Sequence, residues 1–235
     1  MFRLFSTPGW FNGWDIVFDI VGLIVAFLIA AYSWRIYHIN KENRFAYLSL
    51  AFILLAVGFL FKTFTSSILY YTPIRDVAAE VLRPVAGKGL SLSLIYYRAA
   101  FFLQMVTTLG AWLLMFFVSQ KPRSRLKKFY EVSQIALFIY LLLLVSIVSN
   151  FRYGVFYMTS IVLLSLIVLN YYKNYLNTNK NQRALAVMVS FLFILIGNIA
   201  FAFVFFSQGF YALGEILTLV GFLILLITYQ KITKR

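Results

Sequence analysis

Four ionisable side chains stand inside stretches that are otherwise apolar: Asp19, Lys62, Arg98 and Glu215. Two amides, Gln104 and Asn198, stand in similar surroundings. In water such residues mean little, but in hydrocarbon each costs several kcal/mol unless paired, so each marks a functional candidate by default. Two anions, two cations and two amides make a donor and acceptor set for binding a small polar or charged ligand. The same set also suits a purely structural network, Asp19 and Glu215 against Lys62 and Arg98, that pins helix ends together. A third reading has Lys62 and Asp19 snorkelling to the headgroups. Residue types alone leave all three open.

Most other chemistry is excluded. Cysteine is absent, which removes disulfides, thiolate metal sites and thiol nucleophiles. The single histidine, His38, cannot assemble a zinc site by itself. It reads as an interfacial residue. No G-x-S-x-G, G-x-G-D, P-loop or G-x-G-x-x-G pattern occurs, so hydrolase, intramembrane protease and nucleotide sites have no carrier. The last apolar stretch has no lysine before Lys231, which excludes a retinal Schiff base at its centre. The expectation is a protein without enzymatic activity, cofactor or metal.

The elements that must position these residues follow from composition. The 235 residues are 63% hydrophobic and 12% charged, with 26 Phe and 16 Tyr. Soluble domains are about 45–50% apolar and about 25% charged, and a chain this short has too little interior to hide the excess. Lipid is the solvent, and membrane lipids are the first partner. The net charge of +14 does not point to nucleic acid, because the basic residues fall between apolar runs. Seven runs are long enough to cross a ~30 Å hydrocarbon core: Trp14–Tyr37, Phe45–Ser67, Leu92–Ser119, Tyr130–Ser149, Val155–Tyr172, Ala184–Ser207 and Tyr211–Tyr229. The first lacks a small-residue cleavage site and is too long for a signal peptide. Pro8, Pro73, Pro84 and Pro122 all lie between spans, so no proline kink is expected. The predicted fold is an all-α, single-domain, multi-pass protein of the cell membrane with seven transmembrane helices. Fourteen Lys and Arg collect on one side of these spans and five on the other, which puts the N-terminus outside and the C-terminus in the cytoplasm.

Within this frame Asp19, Lys62, Arg98 and Glu215 share the outer third of the bundle, with Asp15 one turn above Asp19. Gln104 and Asn198 lie at mid-depth, where amides usually bond across helices. Trp10, Trp14, Tyr70, Tyr71, Tyr96 and Tyr97 form an outer aromatic belt, and Tyr37, Tyr130, Tyr171, Tyr172 and Tyr229 an inner one.

Sliding the chain along itself until Tyr32 lies on Tyr171 also lays Asn40-Lys41-Glu42-Asn43-Arg44 on Asn179-Lys180-Asn181-Gln182-Arg183. Without a gap, Phe52 then meets Phe191 and Gly58 meets Gly197. A second, smaller shift lays Gln104 on Glu215 and Gly110 on Gly221. The plan is two parallel triple-helix copies, residues 14–119 and 155–229, joined by a linker helix over 130–149. The recurring Gly58, Gly110, Gly197 and Gly221 read as packing sites. This three-plus-one-plus-three plan is similar to sugar-facilitator and opsin-like proteins. The closing helix, Leu213 to Leu226 (L-G-E-I-L-T-L-V-G-F-L-I-L-L), resembles the last helix of small prokaryotic seven-helix membrane proteins. Some of those are sensor regions of histidine kinases.

That resemblance implies a receptor-like role: an outward-facing pocket takes a small polar ligand from outside, and the signal passes to a separate membrane or cytoplasmic protein partner. The duplication suits a small-solute or ion facilitator instead. A structural or accessory subunit is the third reading. The connection Tyr71–Ser91 could carry a short lid helix over the pocket, Ile74–Leu82. The cluster Lys121–Lys128 (K-P-R-S-R-L-K-K) reads as a topology signal that attracts anionic lipid, or as a docking site for an acidic partner.

The topology is directly testable. A reporter fused after Arg235 should be cytoplasmic, and an epitope placed in Val85–Lys88 should be reached by antibody from outside. Both tags on one side would overturn the odd span count.

Overall fold

Long apolar runs without internal proline form helices wherever lipid denies the backbone any other partner. The computed structural model describes residues 7–70, 92–120, 153–178 and 181–233. These residues hold a short 3-10 turn, Gly9–Phe11, and six α-helices: α1 Trp14–Asn40, α2 Asn43–Tyr70, α3 Leu92–Ser119, α4 Tyr153–Asn177, α5 Gln182–Ala202 and α6 Gly209–Thr233. All six are long and apolar enough to cross a membrane. The chain is an all-α, multi-pass membrane protein. The predicted spans Tyr130–Ser149 (the linker helix), the Ile74–Leu82 lid and the Lys121–Lys128 cluster lie outside the described residues.

The predicted boundaries hold at α3 and fall short by two to five residues at most other ends. The main correction is at α5. The span read as Ala184–Ser207 ends as helix at Ala202, and Phe203 donates back to the carbonyls of Ile199 and Ala200. A turn through Phe203–Phe206 follows, with Phe205 and Phe206 about four-fifths exposed. Phenylalanine continues the hydrophobic run in composition, but here it caps the bundle end as an apolar turn.

The α1–α2 connection is tight. Lys41 enters the left-handed region at φ 55°. Its N–H closes on the Tyr37 carbonyl at 2.7 Å. In the α4–α5 connection Asn181 caps α5, its side chain accepting from the Arg183 N–H at 2.9 Å. The helices that follow begin at Asn43 and Gln182, the same pair that the larger repeat shift superposes.

Each helix packs on its neighbours in chain order, and α6 returns to pack on α1, so the six close a ring. Polarity is distributed inside out. Val17, Ile20, Ile24, Phe27 and Leu28 face outward from α1, while Asp15, Asp19 and Ser33 are buried on its inner side. Only a hydrocarbon solvent rewards that arrangement. Hydrogen bonds cross between helices at Ser49 Oγ, which donates to the Ala30 carbonyl, and at Asn170 Nδ2, which donates to Ser119 Oγ, both at 2.9 Å. The core is aromatic and aliphatic, centred on Phe52, Phe101, Phe191, Phe222, Ile29, Met105 and Leu225.

Three of the four recurring glycines permit close approach. A Cβ on Gly221 would stand 2.7 Å from the Ser190 carbonyl oxygen, and one on Gly197 would stand 2.9 Å from the Gly214 carbonyl oxygen. At Gly58 it would meet Thr108 Oγ1 at 2.8 Å. Gly110 does not fit this reading, because its nearest neighbour is a Leu54 methyl at 3.8 Å. The inner aromatic belt also needs correcting. Tyr172 is exposed, but Tyr171 and Tyr229 are buried, and Tyr171 stacks on Phe191 at 5.0 Å. Adjacent tyrosines on a helix point about 100° apart, so one of such a pair faces the bundle.

Gly221→Ala should therefore lower the detergent melting temperature, since overpacking costs about 1–3 kcal/mol. Gly110→Ala should leave it near wild type. Equal losses at both positions would show that helix propensity, not close approach, governs these sites.

Candidate functional site

A 3-10 turn and one glycine prepare the entry to α1. Gly13 takes φ 90°, a value strained for other residues, and Asp15 Oδ1 accepts from the Gly13 and Ile16 N–H groups at 3.0 Å each. This turn inserts Phe11 into the core against Phe18 at 5.5 Å and Tyr211 at 6.3 Å. Directly beneath, one turn below Asp15, stands Asp19.

Asp19 on α1, Lys62 on α2 and Glu215 on α6 meet in a single bridge. Lys62 Nζ donates to Asp19 Oδ1 at 2.7 Å and to Glu215 Oε1. Lys62 is 6% exposed, Glu215 5% and Asp19 not at all. The Lys62 ammonium also lies 5.6 Å from the centre of the Tyr211 ring, within cation–π range. The snorkelling alternative is overturned for both residues: Lys62 and Asp19 turn inward to each other. The reason is energetic. An ammonium inside the ring with two carboxylates and an aromatic face loses less than one stretched along an apolar surface.

Below the bridge is a cavity of about 60 Å³, enough for roughly four waters or a ligand of a few heavy atoms. Lys62, Gln104, Asn198 and Glu215 all line it. Its remaining wall is largely aromatic, with Phe59, Trp112, Phe156, Tyr157, Phe201 and Phe222. Trp112 and Phe222 lie parallel at 6.4 Å, and Tyr157 stacks on Phe201 at 5.1 Å. Two lining residues carry buried polar atoms that no described residue satisfies: the Trp112 indole N–H and the Thr218 hydroxyl. Buried donors without partners are rare and point to a guest molecule such as water or a ligand.

Of the six candidates, the structure thus brings Lys62, Gln104, Asn198 and Glu215 to one cavity and places Asp19 behind it. Arg98 lies in α3, but its side chain is outside the described residues. Among the described residues, Asn198 does not bond across helices as expected. Its Nδ2 donates to the Ile194 carbonyl of its own helix at 2.9 Å. Gln104 makes no cross-helix hydrogen bond among the described residues. Trp112, Tyr157, Tyr211 and Thr218 were missed. Tyr211 and Thr218 stand four residues before and three after Glu215, on its face of α6, and that spacing was the available signal. Among the described residues no cluster of three metal-ligating side chains occurs.

No family model, curated protein or solved structure matches this chain. Its function must therefore be read from the site itself.

Lys62→Met should leave two buried carboxyl groups without their cation and cost about 3–5 kcal/mol of stability at neutral pH. Adding Asp19→Asn and Glu215→Gln should recover much of that loss, because the remaining groups are neutral. Thermal unfolding in detergent checks both. A triple variant as unstable as Lys62→Met would show that packing of the lysine stem, not charge, is what counts.

Proposed function

We propose that this protein is a ligand-sensing, receptor-like seven-helix membrane protein whose cavity admits a small polar ligand from the external side. The observation that carries the proposal is the shared wall: Lys62 and Glu215 line the cavity and also join α2 to α6 and, through Asp19, to α1. A ligand that bonds either residue competes with the bridge, so occupancy and helix position are linked. External access rests on the basic-residue bias, which puts the bridge end of the bundle outside. The seventh helix over 130–149 is part of this proposal, as is a separate membrane or cytoplasmic partner that receives the signal.

A facilitator is the second reading, and a specific observation favours it. Under the two repeat shifts Gln104 corresponds to Glu215, Phe59 to Asn198 and Lys62 to Phe201, and all six line the cavity. The cavity then sits where two copies face each other, as substrate sites do in transporters built from repeats. A ring in which α3 packs on α4 as α6 packs on α1 is compatible with a two-fold relation along the membrane normal.

The test uses the protein in lipid nanodiscs with Trp112 as its only tryptophan. Ammonium, methylamine, glycine, acetate and glycerol are titrated one by one. One of these probes should give a saturable fluorescence change, and at about 100 times its Kd should raise stability by about 2.7 kcal/mol. Gln104→Leu with Thr218→Val should abolish both effects. Uptake of the same probe into proteoliposomes at rates above lipid leakage would favour the facilitator. Absence of any saturable response would remove the ligand site.

A further inference from the structure

The bridge does not balance in charge. Asp19 and Glu215 bring two potential negative charges, and Lys62 brings one positive charge. All three are buried where an uncompensated charge costs several kcal/mol. Asp19 has a further mark. Its Oδ1 accepts from Lys62, whereas its Oδ2 is fully buried and has no hydrogen-bond partner among the described residues. An ionised carboxylate in that position would leave half of its charge facing nothing.

Among the described residues, the groups around it do not repair the deficit. From α1, Asp15 adds a carboxylate, with one oxygen held by two backbone N–H groups. From α2 comes Lys62 alone, already shared with Glu215. From α6 come Glu215 and Tyr211, whose hydroxyl makes no hydrogen bond among the described residues. From α4 comes Tyr157, which lines the cavity beside Lys62 and Glu215 and brings no positive charge. From α5 the cavity receives Asn198, which is neutral. Arg98 belongs to α3, and its side chain lies outside the described residues.

One positive charge is needed, and its size is constrained. A metal ion needs several oxygens at about 2.0–2.6 Å, and the space between the carboxylates is taken by the ammonium. The unpaired Oδ2 lies away from the cavity wall and is closed to solvent. Only a proton fits there.

We infer that the Asp19–Lys62–Glu215 bridge is a proton-binding site that holds one proton on the Asp19 carboxyl at neutral pH. The balanced form is a carboxylic acid at Asp19, an ammonium at Lys62 and a carboxylate at Glu215. Glu215 and Lys62 border the cavity, so they form the route by which the proton enters and leaves. On the ligand reading above, a charged guest that pairs with either residue changes the balance and moves that proton.

Charge counting makes the test sharp. Infrared spectroscopy of the full chain in lipid at neutral pH should show the carbonyl stretch of one buried protonated carboxyl. Incorporation of aspartate labelled with carbon-13 at its carboxyl should shift that band. Asp19→Asn removes the band directly. Glu215→Gln should remove it too, because an ionised Asp19 then balances Lys62 alone. Lys62→Met should double it, since both carboxylates then need protons. The wild-type band and its isotope shift need no variant, so a variant that fails to fold does not block the test. No ligand is added, and the result therefore stands apart from the ligand reading. A wild-type spectrum with no such band would overturn the inference, and would be the result if the Arg98 guanidinium supplied the missing charge. A band that persists in Asp19→Asn, or that ignores the aspartate label, would overturn the assignment to Asp19.

Discussion

The bridge of Lys62 to Asp19 and Glu215 is the constraint from which the rest of this bundle is best understood. An ammonium about two turns from the end of a helix that crosses lipid has few tolerable environments. The environment adopted here draws carboxylates from the first and last described helices, whose N-terminal ends lie beside the C-terminal end of α2. Those contacts close the ring: α6 packs on α1, and the bridge spans that junction. Phe11 packs on Tyr211 at the end of the bridge, whose three side chains are all buried. Without such burial the pairing would be weak, because surface ion pairs contribute only about 0–1 kcal/mol.

The aromatic wall has a related physical role. Rings around the cavity lower the local dielectric response and leave the polar atoms of Lys62, Gln104, Asn198 and Glu215 as the few directional contacts available to a guest. Close helix approach at Gly197 and Gly221 draws α5 tightly against α6. At Gly58 the close neighbours across to α3 are the Thr107 and Thr108 hydroxyls.

The amino-acid sequence by itself determined the solvent, the helical class, the location of most spans and the approximate depth of Asp19, Lys62 and Glu215. These follow from composition and from distance along a helical rod that rises by a fixed step per residue, which is one-dimensional information. Tertiary structure decided what that rod cannot express, namely which way each side chain turns and what it meets. It chose Lys62 as the shared cation between the two carboxylates, sent Tyr171 and Tyr229 inward, turned the Asn198 amide back onto its own helix and ended α5 at Ala202. The physical reason is the absence of a hydrophobic contrast around a helix in lipid. Where the outward face and the inward face are both apolar, azimuth is set by close packing and by a few polar contacts, and those exist only once the neighbouring helices are in place.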